Sequence, residues 1–219
     1  MKKILIILLI GISNITFSQT IIEIDSVSNV MCIYLKNLTI KNDTLKINSL
    51  YNNQLYPYLE KVKQTKAQKI GQQVYYRLQR NCVEFRELLD RLDPPKEAVI
   101  RITKKPKSKI TKKQLKDFKN QKEFYYFEAS GQKTKAIMKN KIWKDLFSDN
   151  TYSILTYNWI SKTEFELTFI ESNNESRANF SVNGDKYIYQ VLSKESNFYL
   201  MSLKIPSHKT YEKFKIYYE

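Results

Sequence analysis

Two hydrophobic patterns divide the chain. From Ile24 to Leu92 the apolar residues recur at helical spacing, whereas after Lys122 they fall in short aromatic and β-branched runs separated by turn residues. In the first part, Asp25 is placed to cap a helix carrying Val27, Val30, Met31, Tyr34 and Leu38. A second helix is expected after Asp43, with Leu45, Leu50 and Leu55, interrupted around Pro57. Leu59, Val62, Ile70, Val74, Leu78, Cys82, Phe85, Leu89 and Leu92 then share one face of a long third helix. Gly71 is its weak point, and Asp93-Pro94-Pro95 ends it, because proline lacks a backbone donor and disfavours helical geometry before it. The expectation for residues 19–95 is a helical bundle with the long helix as its spine.

The second pattern predicts strands in "EFYYFEA", "TKAIMK", "YSILTYNWI", "EFELTFIES", "RANFSV", "DKYIYQVLS" and "NFYLMSLKI". In the fourth, Phe165, Leu167 and Phe169 share one face and Glu164, Glu166 and Thr168 the other, as a half-buried strand requires. In "EFYYFE" Tyr125 and Phe127 oppose Phe124 and Tyr126, so both faces of that strand carry rings. Gly131 and Asn183-Gly184 mark turns, the latter being the pair that a type I′ hairpin favours. The connectors leave no room for crossover helices, which implies antiparallel neighbours. The predicted class is α+β, a helical bundle followed over residues 123–219 by an antiparallel meander, either a curved sheet or a small barrel, with Trp143 and Trp159 in its core.

Between the two lies "KKPKSKITKKQLKDFKNQK", residues 104–122, with nine lysines and one acid, Asp117. Thr111 is placed to cap a short helix, with Leu115 and Phe118 on one face and Lys112, Lys113, Lys116 and Lys119 directed outward. Residues 96–122 hold eleven basic residues against two acids, a net charge of +9, within a chain of 37 Lys and Arg against 22 Asp and Glu. Lys107, Lys109, Lys112, Lys113, Lys116 and Lys119 are therefore candidate contacts for an acidic partner, steering it over a Debye length of roughly 8 Å. The alternative is a solvated connector that aids solubility.

The N-terminus decides which partners are relevant. "MKKILIILLIGISNITFSQT" joins a basic start to an apolar run and a small residue, Ser18, before Gln19, as in a cleaved signal peptide over residues 1–18. The run is shorter than the roughly 20 residues that span a bilayer, and the mature chain carries no transmembrane segment. Export to the periplasm or cell surface replaces nucleic acid with acidic glycans, lipid head groups or acidic proteins as the expected partners.

"DRLDPPKE", "KEFYYFE", "YNWISKTEFELTFIESNN" and "NGDKYIYQVLSKESNFYLMSLKI" resemble small exported proteins of Bacteroidetes. In these a C-terminal region repeats an aromatic strand, a tryptophan strand, an "EYxL" strand and a "GD" turn. The resemblance covers the last two thirds of the chain. It implies export and a strand-rich C-terminal region, and it brings no catalytic residues.

Candidate chemistry is sparse. The one histidine, His208, stands in "PSHKT" and reads as a surface loop residue, and no G-x-S-x-G elbow supports a Ser-His-Asp arrangement. Two cysteines and one histidine, without metal-ligand spacing, make a zinc site improbable. The three glycines beyond the signal segment are unclustered, so neither a P-loop nor a dinucleotide fingerprint is present, and no cofactor is expected. Glu164 and Glu166 share a strand face with the spacing of a carboxylate pair, or else form its solvent side opposite lysines. Cys32 and Cys82 fall on apolar helical faces and read either as a disulfide, permitted by export, or as two buried thiols. The leading functional expectation is a non-enzymatic exported binding protein that engages an acidic partner through its basic segment. A barrel-like carrier of an apolar ligand and an enzyme acting on glycans are the alternatives.

Overall fold

The computed structural model describes residues 15–96 and 99–219, with side chains from Ile21 onward. The first fourteen residues of the expected signal segment lie outside the described residues. The chain divides into two compact units, one up to Arg86 and one from Glu87 onward.

The first unit is helical. Helix α1 spans Ile15–Asn37, α2 Asp43–Leu50, α3 Tyr56–Leu59 and α4 Gln64–Asn81, and α5, Val83–Leu92, begins in this unit and continues into the second. Asp25 lies inside α1 rather than at its start, and Val30 is exposed; the buried face is Ile24, Ser28, Met31, Cys32 and Leu35. Asn42 caps α2, its side chain accepting the Leu45 N–H at 2.9 Å. Pro57 does not break the second helical segment. A π-helical turn, Tyr51–Leu55, leads into α3, where the proline occupies the first turn and its missing N–H costs nothing. The expected long third helix falls in three helices, the end of α3, α4 and α5. It breaks at residues 60–63 and again at Cys82, whose φ of −124° and ψ of 106° are extended, while Gly71 stays helical. The period-based reading missed these breaks because Leu59, Val62 and Cys82 keep the spacing of a continuous face across them.

The second unit is a barrel. Its strands are β1 (Ile100–Ile102), β2 (Glu123–Phe127), β3 (Lys133–Lys139), β4 (Ile142–Leu146), β5 (Tyr152–Trp159), β6 (Glu164–Ser172), β7 (Lys186–Lys194), β8 (Phe198–Lys204) and β9 (Tyr211–Tyr217), with helices α6 (Lys112–Asn120) and α7 (Glu175–Phe180) between them. From β2 to β9 each strand pairs antiparallel with the next, and β9 closes on β2 at Tyr125 and Tyr217, giving eight strands around one core. β1 occupies the rest of that β9 edge, pairing Ile100 with Lys213 and Ile102 with Tyr211.

Four strand assignments change. "RANFSV" is not a strand, because Asn174 caps α7 by accepting the Arg177 N–H at 3.2 Å. β1, β4 and β9 are additional strands. The type I′ hairpin falls at Asn140-Lys141, with φ of 52° and 61°, joining β3 to β4. Asn183-Gly184 forms a different turn, with positive φ only at Gly184, 90°, and the Asp185 N–H donating to Val182 O at 2.9 Å.

Inward positions follow the alternation, with Phe165, Leu167 and Phe169 of β6 buried beside Phe124, Trp143, Tyr199 and Met201. The two ends of the barrel differ. At one end α6, fixed by a capping box between Thr111 and Gln114, inserts Phe118 among Phe124, Tyr199, Phe165 and Trp159, with ring centroids 4.9 to 6.2 Å apart. That end is filled. The other end, where α7 and the turns after β2 and β8 lie, is where polar groups enter the interior.

Candidate functional site

The site grows out of β4. Trp143 and Asp145, two residues apart, both face inward, and the Trp143 indole N–H donates to Asp145 Oδ1 at 2.8 Å. The register neighbours of Asp145 are Ala136 on β3 and Ser153 on β5, both small and buried, so no large side chain crowds the carboxyl from either strand. A cavity of about 250 Å³ results. Its walls include Tyr126 of β2, Tyr189 of β7, Met201 and Leu203 of β8 and Phe214 and Ile216 of β9. The Trp143 and Tyr189 rings stack with centroids 6.4 Å apart, and Phe214 meets Tyr189 edge-on at 5.9 Å.

Charged groups are spaced around this apolar wall. The Arg177 guanidinium, brought in by α7, pairs with Glu128 and lies 5.3 Å from the Phe147 ring. Glu128 also accepts from the Thr134 hydroxyl at 3.0 Å. Glu212 accepts from Arg101 Nε at 3.2 Å, and the same guanidinium holds Asp90. Asp145 takes its hydrogen bonds from neutral donors, the Trp143 indole and the Tyr126 hydroxyl. Burial pushes its carboxyl up to about 6, against the pull of those donors and of Arg177. Desolvation also raises the Tyr126 and Tyr189 hydroxyls, so both rings are neutral hydrogen-bonding groups at any ordinary pH.

The lysines singled out in the sequence lie at the opposite end. Lys107 and Lys109 are exposed on an extended segment held against β7, where the Lys109 N–H donates to Leu192 O at 2.7 Å and the Ser108 hydroxyl to Val191 O at 2.7 Å. Lys112, Lys113, Lys116 and Lys119 are exposed on α6, with Lys119 Nζ 3.9 Å from the Trp159 ring. Cys32 and Cys82 come together at disulfide distance, 2.08 Å between sulfurs. Glu84 stands beside them, but sulfurs bonded to each other offer no thiolate to a metal.

Glu164 and Glu166 do not form a carboxylate pair: Lys105 holds the first at 2.6 Å and Lys186 the second at 3.1 Å. His208 is buried, not on the surface, with 6% of its area exposed. Tyr126 is legible in the sequence only as a ring on one face of its strand, while Asp145, Tyr189, Arg177 and Glu128 carry no mark there. Their one legible signal is in "IWKDL", where an inward tryptophan is followed two residues later by an acid that reads as a strand break. Comparison with known protein families, curated proteins and solved structures gives no match. Among the described residues, no helix is long and apolar enough to cross a membrane.

Proposed function

We propose that the protein is an exported binding protein whose barrel interior receives one small ligand. The observation that carries this is the asymmetry of the barrel, filled by Phe118 at one end and holding at the other a cavity of about 250 Å³ with aromatic walls and a half-buried, inward-facing carboxyl. Eight-stranded barrels have interiors of a size that side chains either fill or share with one small molecule. Aromatic walls with a few placed polar groups are the usual composition of such a site. The mutual pairing of Glu128 with Arg177 and of Glu212 with Arg101 favours binding over catalysis, since these groups hold one another. Export is supported by the cysteine pair, which belongs to an oxidising compartment.

A second surface favours a partner of another kind. Phe118 and Leu115 pin α6 to the barrel, so Lys112, Lys113, Lys116 and Lys119 form an ordered basic face suited to an acidic glycan, lipid head group or acidic protein.

One experiment separates the two. Thermal unfolding of the protein is followed against a panel of small molecules and, in a parallel arm, against heparin and anionic vesicles over a salt series. Small-molecule stabilisation that disappears in Leu203→Trp and weakens in Leu203→Phe, both checked for fold by circular dichroism, places the ligand in the cavity. Stabilisation unchanged in both variants contradicts the interior site. Salt-sensitive heparin binding, lost when Lys112, Lys113 and Lys116 become Gln, assigns the basic face.

A further inference from the structure

Accepting the cavity as a ligand site, we infer that its ligand is a small organic cation, an amine with a flat or short apolar body, bound between the Asp145 carboxylate and the rings of Tyr126, Trp143 and Tyr189. Three carboxylates, Glu128, Asp145 and Glu212, line the space against one guanidinium, Arg177. Glu128 holds that guanidinium, and Glu212 is held by Arg101. Asp145 remains with neutral donors, so the charge deficit of the cavity is localised on one oxygen pair. An anionic ligand would meet Arg177 already engaged and two further acids around it. A neutral ligand would leave the carboxylate with only the Arg177 guanidinium, already paired with Glu128, as a distant counter-charge. A cation supplies what the cavity lacks, and the negative faces of the surrounding rings add to its attraction.

The size is consistent. A volume of 250 Å³ equals that of about eight liquid waters, which suits an amine carrying one ring or a short alkyl chain. The stacked Trp143 and Tyr189 rings favour a flat body. The titratable groups that face the site come from every side: Tyr126 and Glu128 from β2 and its turn, Tyr189 from β7, Arg177 from α7 and Glu212 from β9. Desolvation moves the ionisation of the Asp145 carboxyl to near pH 6. Cation binding therefore strengthens as pH rises through that value.

Calorimetric titration of the oxidised full chain with three probes of one shape tests this: benzylamine, benzyl alcohol and benzoate. The expected result is benzylamine affinity at least about tenfold above the other two at pH 7.5, since a charged hydrogen bond is worth that much. The affinity should fall on going to pH 5. Asp145→Asn should lose both the preference and the pH dependence, and Tyr126→Phe, which keeps the ring, should retain the preference with a weaker affinity. Equal or tighter binding of benzyl alcohol or benzoate overturns the cation while leaving the interior site standing. Benzylamine binding unchanged in both variants moves the amine out of the cavity and overturns the proposal. If none of the three binds, the cation proposal is overturned, and the small-molecule panel with the Leu203 variants decides the interior site separately.

Discussion

A carboxyl group inside a barrel is ionised at a cost, and at Asp145 that cost shows as proton affinity. Its folded value, about 6, lies above the ordinary 3.8, so between these values the folded protein holds a proton that the unfolded chain releases. The stabilising contribution is therefore complete below about pH 4 and is lost as pH rises through 6, by about 3 kcal/mol for a two-unit shift. Asn in this position accepts the Trp143 N–H without titrating. Asp145→Asn should be more stable than the wild-type protein at pH 7.5 by about 1–3 kcal/mol, with the difference shrinking at pH 5. Urea unfolding at the two pH values measures it, and a difference that does not change with pH would show that Asp145 is not desolvated. A residue that destabilises its own fold at neutral pH is the kind found at functional sites. The same fact hides it in the sequence: an acid in an inward position breaks the apolar alternation by which strands are read, so β4 gives no strand signal although Trp143 is legible as a core residue.

At the scale of elements, local signals that act within a few residues were legible, and those set by tertiary partners were not. The Thr111 cap, the proline stop after Leu92 and the face of β6 follow from neighbouring residues, and the structure has them all. The break between α4 and α5 is different, because the chain is extended at Cys82, the residue joined to Cys32 of α1 across fifty positions. Periodicity carries no information about such a link. Beside it Arg77 of α4 donates to Asp25 of α1 at 2.6 and 2.8 Å, which explains why Asp25 serves as a partner within a helix rather than as its cap. Reduction of the disulfide should destabilise the helical unit by about 4 kcal/mol in the chain-entropy account of a loop this long. Both tryptophans, Trp143 and Trp159, belong to the barrel unit, so their fluorescence reports on it separately. Addition of reductant should shift the far-ultraviolet helical transition and leave the tryptophan transition in place. A helical transition insensitive to reductant would mean that the bridge contributes nothing to the fold.

At the scale of the molecule, a strand-rich C-terminal region was evident from composition and turns, but closure was not. Whether a meander curls into a barrel depends on its last strand meeting its first, and here that contact is made by Tyr217 of β9 against Tyr125 of β2, rings stacked 5.1 Å apart. β9 gives a weak strand signal because "YEKFKIY" alternates aromatics with charged residues near the end of the chain. Closure creates the interior, α6 fills one end of it, and what is left at the other end is the space beside Asp145. Binding of a cation in that space requires the carboxyl to be desolvated, ionisable and reachable by a ligand. Carbon-detected NMR of the Asp145 side-chain carboxyl through a pH titration, with and without saturating benzylamine, tests all three properties together. The prediction is a midpoint near 6 in the free protein that moves downward when the amine is bound. A midpoint in the ordinary aspartate range, unmoved by the amine, would contradict it.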